Sequence, residues 1–163
     1  MYRLKKLVVG VGDMKVSNKP EDRIITYSLG SCIGIGIYDF HARVGGLLHF
    51  MLPESTIDSE KAGKKPFMFA DTGIPVLFKT SYKYGAQKSR MKIIVVGGAQ
   101  ILDQKGLFNI GKRNYMAVKK IFFKNNVITD YEEVGGSVNR TISINIETGE
   151  MLIKTSGKGE KII

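Results

Sequence analysis

Thiol chemistry in this 163-residue chain rests on Cys32, its single cysteine. A cysteine attacks as its thiolate, so it needs a base to take the proton and, for acyl chemistry, backbone N–H groups to hold the developing oxyanion. His41 and His49 are the two histidines available as that base. Ile33-Gly34-Ile35-Gly36-Ile37 alternates with period two, and Val44 to Met51 is a second apolar run that Pro53 ends. The two runs read as a β-hairpin, with Asp39-Phe40-His41-Ala42-Arg43 as its turn and His41 in solvent. A turn centred between Phe40 and His41 sets Gly34 opposite Leu47 and Cys32 opposite His49, with Cβ atoms ~5 Å apart on one side of the sheet. A slip of two residues keeps thiol and imidazole on that side and makes their relation diagonal. Ile33, Ile35, Ile37, Val44 and Leu48 then share a core face. Cys32 and His49 share the other with Gly34, Gly36 and Gly45, where glycine leaves room for a substrate backbone or a packed loop.

Leu29-Gly30-Ser31 leads directly into Cys32. Successive backbone N–H groups at Gly30 and Ser31 could converge beside the sulfur as an oxyanion hole. Thr26, on the preceding strand, could exchange a hydrogen bond with the imidazole and hold its orientation. Each of these residues also has a plain structural reading: Cys32 as a small buried hydrophobe, His49 as a satisfied strand histidine, Gly30 as a turn former and Thr26 as an ordinary strand residue. One cysteine and two histidines fall short of a Cys/His zinc site unless carboxylates join, so neither metal nor cofactor is expected.

The elements that must position these groups follow from periodicity. The N-terminal run through Val11 reads as a first strand, and Arg23-Ile24-Ile25-Thr26-Tyr27 as another. Glu54 to Lys65 is polar and small, a loop. A helix follows with Asp71 or Thr72 as cap, Ala70, Ile74, Leu77, Phe78 and Ser81 at helical spacing, Pro75 in its first turn and Gly85 at its end. Lys92 to Val96 is a buried strand. Residues 112–124 form a second helix, with Tyr115, Val118, Ile121 and Phe122 inward and Lys119, Lys120 and Lys124 toward water. Three strands, Val127 to Val134, Thr141 to Ile146 and Met151 to Lys154, close the chain. Strands at both ends and two helices between them predict one α+β layered domain over residues 1–163.

Composition sets the outer bounds. Apolar residues make up 43% of the chain, enough for a core, and the charged fraction of 25% is ordinary. No apolar run approaches the ~18 residues of a membrane span, and a lone cysteine suits a reducing cytoplasm. The net charge of +10 is uneven: residues 1–60 balance, residues 61–125 carry +12 and residues 126–163 carry −2. The basic segment reads as solvated helix faces or as a docking surface for an acidic partner.

The chain carries Leu29-Gly30-Ser31-Cys32, His49-Phe50-Met51-Leu52-Pro53, Ala70-Asp71-Thr72, Gly97-Gly98-Ala99, Ile110-Gly111-Lys112-Arg113-Asn114, Gly135-Gly136 with Arg140, and Asn145-Ile146-Glu147-Thr148-Gly149. In their order and spacing these residues resemble the CheD family of chemoreceptor glutamine deamidases. The resemblance implies an α/β/β sandwich of mostly antiparallel strands with two main helices. It implies hydrolysis of glutamine side chains to glutamate on the cytoplasmic helices of chemoreceptors, with Cys32 as nucleophile, His49 as base and acid, and Thr26 orienting the imidazole. A CheC-type phosphatase is the implied regulator, and neither nucleic acid nor membrane insertion is implied. Tyr27-Ser28 stands where relatives often have glycine, and Gly73-Ile74-Pro75 is less helical than usual for the family.

Other readings compete. Gly106 to Lys112 has the glycine and lysine spacing of a phosphate loop, but Arg113 replaces the Ser or Thr that would hold Mg²⁺. The basic middle segment could make a noncatalytic nucleic-acid or partner-binding module, although Phe67, Phe69, Tyr82 and Tyr84 follow local or helical spacing rather than a stacking platform. A thiol hydrolase could instead be a peptidase or transamidase, or the chain could act mainly as a noncatalytic regulator that binds a CheC-type phosphatase.

Overall fold

A computed structural model describes residues 3–101 and 108–163. It contains two five-stranded sheets and a helical layer. The first sheet has the order β1-β3-β8-β9-β10, formed by Lys5–Val8, Asp22–Leu29, Arg140–Asn145, Met151–Thr155 and Gly159–Ile162. The second has the order β2-β5-β4-β6-β7, formed by Asp13–Ser17, Val44–Phe50, Ile33–Asp39, Met91–Gly97 and Tyr131–Val134. Among the described strands β1 with β3 and β6 with β7 pair in parallel, and the other strand pairings are antiparallel. Helices α2 (Ala70–Lys83) and α3 (Ile110–Lys124) cover the second sheet, and a short α1 (Ser59–Lys64) precedes them. This is the α+β layered fold that the residue patterns predict, in the α/β/β order that the family resemblance implies.

Period-two alternation in the central hairpin builds both cores at once. Ile33, Ile35, Ile37, Val44, Leu48 and Phe50 point at the helices and meet Ile74, Leu77 and Phe78 of α2 and Val118 and Phe122 of α3. On the opposite face Leu47, Ile94 and Val96 meet Ile24, Ile142, Ile144 and Ile153 of the other sheet. The hairpin glycines serve this second contact. A Cβ on Gly34 would stand 2.7 Å from Ile142 Cδ1, and one on Gly45 2.5 Å from Ile146 Cδ1. The space read from sequence as room for a substrate is filled by the isoleucines of the facing sheet.

The hairpin register differs from the expected one by two residues. Gly34 faces His49, Ile33 faces Phe50 and Asp39 faces Val44. The cause is the Asp39 carboxylate, which accepts from the amides of His41 and Ala42 at 2.9 and 3.1 Å and fixes a four-residue turn that Arg43 closes at φ 55°. Period two preserves the faces, so Cys32 and His49 remain on one side of the sheet, related diagonally rather than directly opposed.

Asp39 does more than shape the turn. Its side chain is fully buried and also accepts from Gln87 N and Arg90 Nε, both at 2.9 Å. Burial alone would raise its pKa, but Arg90 and the three amides outweigh that and hold it below the usual carboxylate range. Asp39→Ala, which leaves Arg90 and three amides without their acceptor, is expected to cost about 3–5 kcal/mol in chemical denaturation. A loss under about 1 kcal/mol would contradict this role. In the native protein the stabilisation is present above the ordinary carboxylate pKa and is lost as pH falls below it.

Several local expectations change. Helix α2 starts at Ala70 with Phe69 as N-cap, because Asp71 instead accepts from Ser55 N and Oγ at 2.9 and 2.7 Å and Thr72 Oγ1 donates to the Pro66 carbonyl. Pro75 lies inside the helix, which runs on through Gly73-Ile74-Pro75 to Lys83 because Ile74, Leu77 and Phe78 are buried. The expected loop at 54–65 contains α1, capped by Asp58 accepting from Lys61 N at 3.0 Å. The strand read at 127–134 is confined to Tyr131–Val134, the N-terminal strand is followed by a separate β2 in the other sheet, and β10 adds a fourth C-terminal strand. Gly106 of the phosphate-loop reading lies outside the described residues. Among the described residues no helix is long and apolar enough to cross a membrane.

Candidate active site

Thr26 of β3 and His49 near the end of β5 meet between the two sheets, and Cys32, which immediately precedes β4, packs against the same sheet-to-sheet core. Thr26 is fully buried, His49 is 1% exposed, and Cys32 is half-buried and packs against the sheet-to-sheet core. Thr26 Oγ1 lies 2.7 Å from His49 Nδ1 and donates to the Val9 carbonyl, also at 2.7 Å. These two contacts settle the imidazole tautomer. A carbonyl can only accept, so the single hydroxyl proton of Thr26 goes to Val9, and the hydroxyl oxygen must accept from Nδ1–H. Nε2 therefore carries the lone pair. It is buried and has no hydrogen-bond partner among the described residues.

Electrostatics keep the thiol and imidazole neutral at rest. Burial pushes the Cys32 thiol up to about 11, although its own backbone amide pulls in the other direction. Burial also pushes His49 down to about 4. A neutral imidazole with a free Nε2 lone pair can take a proton, and a neutral thiol can give one. The two groups therefore rest as a neutral pair rather than as a thiolate–imidazolium ion pair.

The segment entering Cys32 is held by its carbonyls. Gly30 O accepts from Ala99 N at 2.8 Å, Cys32 O from Gly98 N at 2.9 Å, and Ser31 O from Asn114 Nδ2 at 2.9 Å. In a trans peptide the carbonyl and the following N–H point in opposite directions. Anchoring the Gly30 and Ser31 carbonyls thus directs the Ser31 and Cys32 amides away from β6 and α3, and the Cys32 amide lies against its own sulfur. Of the two residues expected from sequence to give backbone support, Gly30 is tied through its carbonyl and Ser31 leaves its amide turned away from β6. Gly97, at φ 117°, has no room for a side chain: a Cβ would sit 2.2 Å from Cys32 O.

Beside this segment opens a cavity of about 830 Å³, lined among others by Ser31, Met51, Ile101, Lys112, Tyr115 and Glu132. Tyr115 Oη donates to the Glu132 carboxylate on its wall. Lys112, from the basic middle segment, reaches this wall. Arg140 braces the region from behind, donating to Gly135 O at 2.8 Å and Gly97 O at 3.3 Å while pairing with Glu133 at 3.0 Å.

Two contributors escaped the sequence reading. The Val9 carbonyl leaves no trace in residue type. Asn114 does leave one: it is a polar residue on the buried stripe Gly111, Asn114, Val118 and Phe122 of α3.

The family model described as CheD chemotactic sensory transduction matches residues 51–155. A probable chemoreceptor glutamine deamidase CheD of Syntrophus aciditrophicus is 50% identical over 93% of this chain and 94% of its own length. The chain belongs to the CheD family. Further CheD relatives, each named a probable chemoreceptor glutamine deamidase, come from Solibacter usitatus and Desulforamulus reducens. The first is 42% identical over 98% of this chain and 95% of its own, the second 42% over 97% and 95%. Residues of the dispersed motifs Gly97-Gly98-Ala99, Ile110 to Asn114 and Gly135-Gly136 line one cavity in the fold, and Arg140 braces it.

Proposed function

We propose that this CheD protein hydrolyses the side-chain amides of glutamines on chemoreceptor cytoplasmic helices, giving glutamate and ammonia through a thioester on Cys32. The observation that carries the reading is the buried Thr26–His49 contact, which leaves an Nε2 lone pair with no partner among the described residues, between the sheets whose core Cys32 packs against. The names of the CheD relatives supply the substrate class.

In this reading His49 Nε2 takes the Cys32 proton as Sγ attacks the amide carbon. The C–S bond forms, and the carbonyl electron pair moves to oxygen, where the Ser31 and Cys32 amides hold the charge, a contribution of about 3 kcal/mol per donor. Collapse breaks the C–N bond, and the proton on Nε2 leaves with ammonia. Water then gives a proton to Nε2 and attacks the thioester; the second collapse breaks C–S, and the proton returns to sulfur. Every proton passes through one ring nitrogen, so the Nδ1–H tautomer held by Thr26 matters in both halves. Thr26→Val keeps the shape and removes the hydroxyl, and is expected to lower kcat about tenfold or more, one hydrogen bond's worth. An unchanged kcat would remove Thr26 from the mechanism.

Incubating the protein with receptor cytoplasmic fragments and mapping glutamine-to-glutamate conversion by mass spectrometry tests the function. Ammonia release without backbone cleavage or amine incorporation is expected, which separates deamidation from peptidase and transamidase chemistry. Fragments that remain unconverted would overturn the reading. Family membership extends the proposal to a CheC-type phosphatase as regulator, measurable as a change in conversion rate when the phosphatase is added.

A further inference from the structure

Asn114 has no counterpart in the Cys-His-Thr scheme, yet its placement is specific. It is fully buried on α3, one helical turn past Gly111, whose missing side chain lets the helix pack against the Gly98 and Ala99 carbonyls: a Cβ there would lie 2.5 Å from both. From this position Asn114 Nδ2 donates to Ser31 O and to Met51 O, each at 2.9 Å. Ser31 immediately precedes the nucleophile, and Met51 follows His49 by two residues. One carboxamide nitrogen therefore ties the entry of β4 to the exit of β5, the two chain segments that carry thiol and imidazole. The other end of the side chain gains nothing in return. Oδ1 is buried with no hydrogen-bond partner among the described residues, a cost that an apolar residue of the same size would not incur.

The bond to Ser31 O has a direct chemical consequence. The Ser31–Cys32 peptide is one rigid plane, so the direction of the Ser31 carbonyl sets the direction of the Cys32 N–H. Rotating that plane by half a turn would point a carbonyl oxygen, rather than an N–H, at the position where negative charge develops. Nothing in the residue types of Ser31 and Cys32 forbids that rotation; the hydrogen bond from α3 does.

We propose that Asn114 is a positioning residue that locks the Ser31–Cys32 peptide with its N–H turned toward the reacting sulfur, so that the oxyanion donor is in place before substrate arrives. The inference rests on the deamidase reading for its kinetic consequence but not for its geometry. Asn114→Leu, close to isosteric and without a donor, is expected to lower kcat about 100-fold, the scale of losing one oxyanion donor, while KM changes less than about threefold. Asn114→Ser, too short to reach both carbonyls, is the second variant should leucine prevent folding, and is expected to show the same split. A merely structural role predicts instead that kcat per folded molecule stays at the wild-type value, which would overturn the proposal.

The second readout needs no receptor. Alkylation of Cys32 by iodoacetamide in the free protein reports how well the adjacent amide supports the thiolate. It is expected to slow at least about threefold in either variant at fixed pH, because the rotated peptide withdraws that donor. Unchanged alkylation in a folded variant overturns the positioning role even if wild-type protein converts no receptor glutamine. Slowed alkylation together with inactive wild-type protein supports the positioning role and overturns the deamidase reading alone.

Discussion

Cys32→Ala is expected to abolish glutamine conversion, with a fall of at least about 10⁴-fold in kcat, while the protein stays folded. Removing the nucleophile of a triad hydrolase leaves only binding and oxyanion stabilisation, and losses near 10⁶ are known for that class. Cys32 is the single cysteine of the chain, so no other thiol can substitute. Cys32→Ser is expected to fail as well. A serine hydroxyl is a far less acidic and weaker nucleophile than a thiol, and an alkoxide leaves the acyl intermediate less readily than a thiolate. Alanine fits the half-buried site, so far-UV circular dichroism and the unfolding midpoint should remain near wild type. Intact-mass analysis of a receptor fragment incubated with each variant checks the expectation; conversion by Cys32→Ala at a tenth of the wild-type rate or faster would contradict it.

His49→Ala carries the second large effect. A single Nε2 serves as base and acid in both half-reactions, and general acid–base catalysis of this kind is worth about 10²–10⁴-fold. A kcat loss toward the upper end of that range is expected. The pH dependence distinguishes this mechanism from one that starts with an ion pair. With His49 lowered to about 4 and Cys32 raised to about 11, the competent neutral pair persists across the range between, so kcat/KM of the wild-type protein should form a broad plateau with limbs near those values. A preformed thiolate–imidazolium pair would instead give a narrow bell.

Stability follows the same group. Between 6.5 and about 4 the unfolded chain binds a proton at His49 that the folded protein does not, so folding free energy falls as pH falls through that window. The loss is on the order of 2 kcal/mol and should be absent in His49→Ala. Urea denaturation of both proteins at neutral pH and near pH 4.5 measures it.

Much of this site was legible from residue order, for reasons that particular residues make plain. Isoleucine at every second position of β4 dictated both the strand and its core face. Because side chains alternate with period two, a register error of two residues left Cys32 and His49 on a common side. The error itself came from Asp39, whose side chain makes two turn hydrogen bonds that a count of residues between strands cannot show. Gly34 and Gly45 were read as open space because sequence does not say that a second sheet lies across them. Pro75 was placed in the first turn because its missing N–H is harmless there, whereas burial of Ile74, Leu77 and Phe78 carries α2 past it. Six residues of α1 are too few for a periodic signal. The Val9 carbonyl, which fixes the imidazole tautomer through Thr26, belongs to the backbone and has no residue signature.

In the proposed mechanism the Cys32 sulfur becomes covalently bonded to the substrate carbonyl carbon. Mixing wild-type protein with a receptor cytoplasmic fragment, quenching in acid within the first turnover and mapping the peptides by mass spectrometry tests it. A glutamyl thioester on the peptide containing Cys32, formed before free glutamate accumulates and absent after Cys32→Ala, is the predicted result. Conversion of glutamine to glutamate at the wild-type rate in the Cys32→Ala variant would rule out the thioester route.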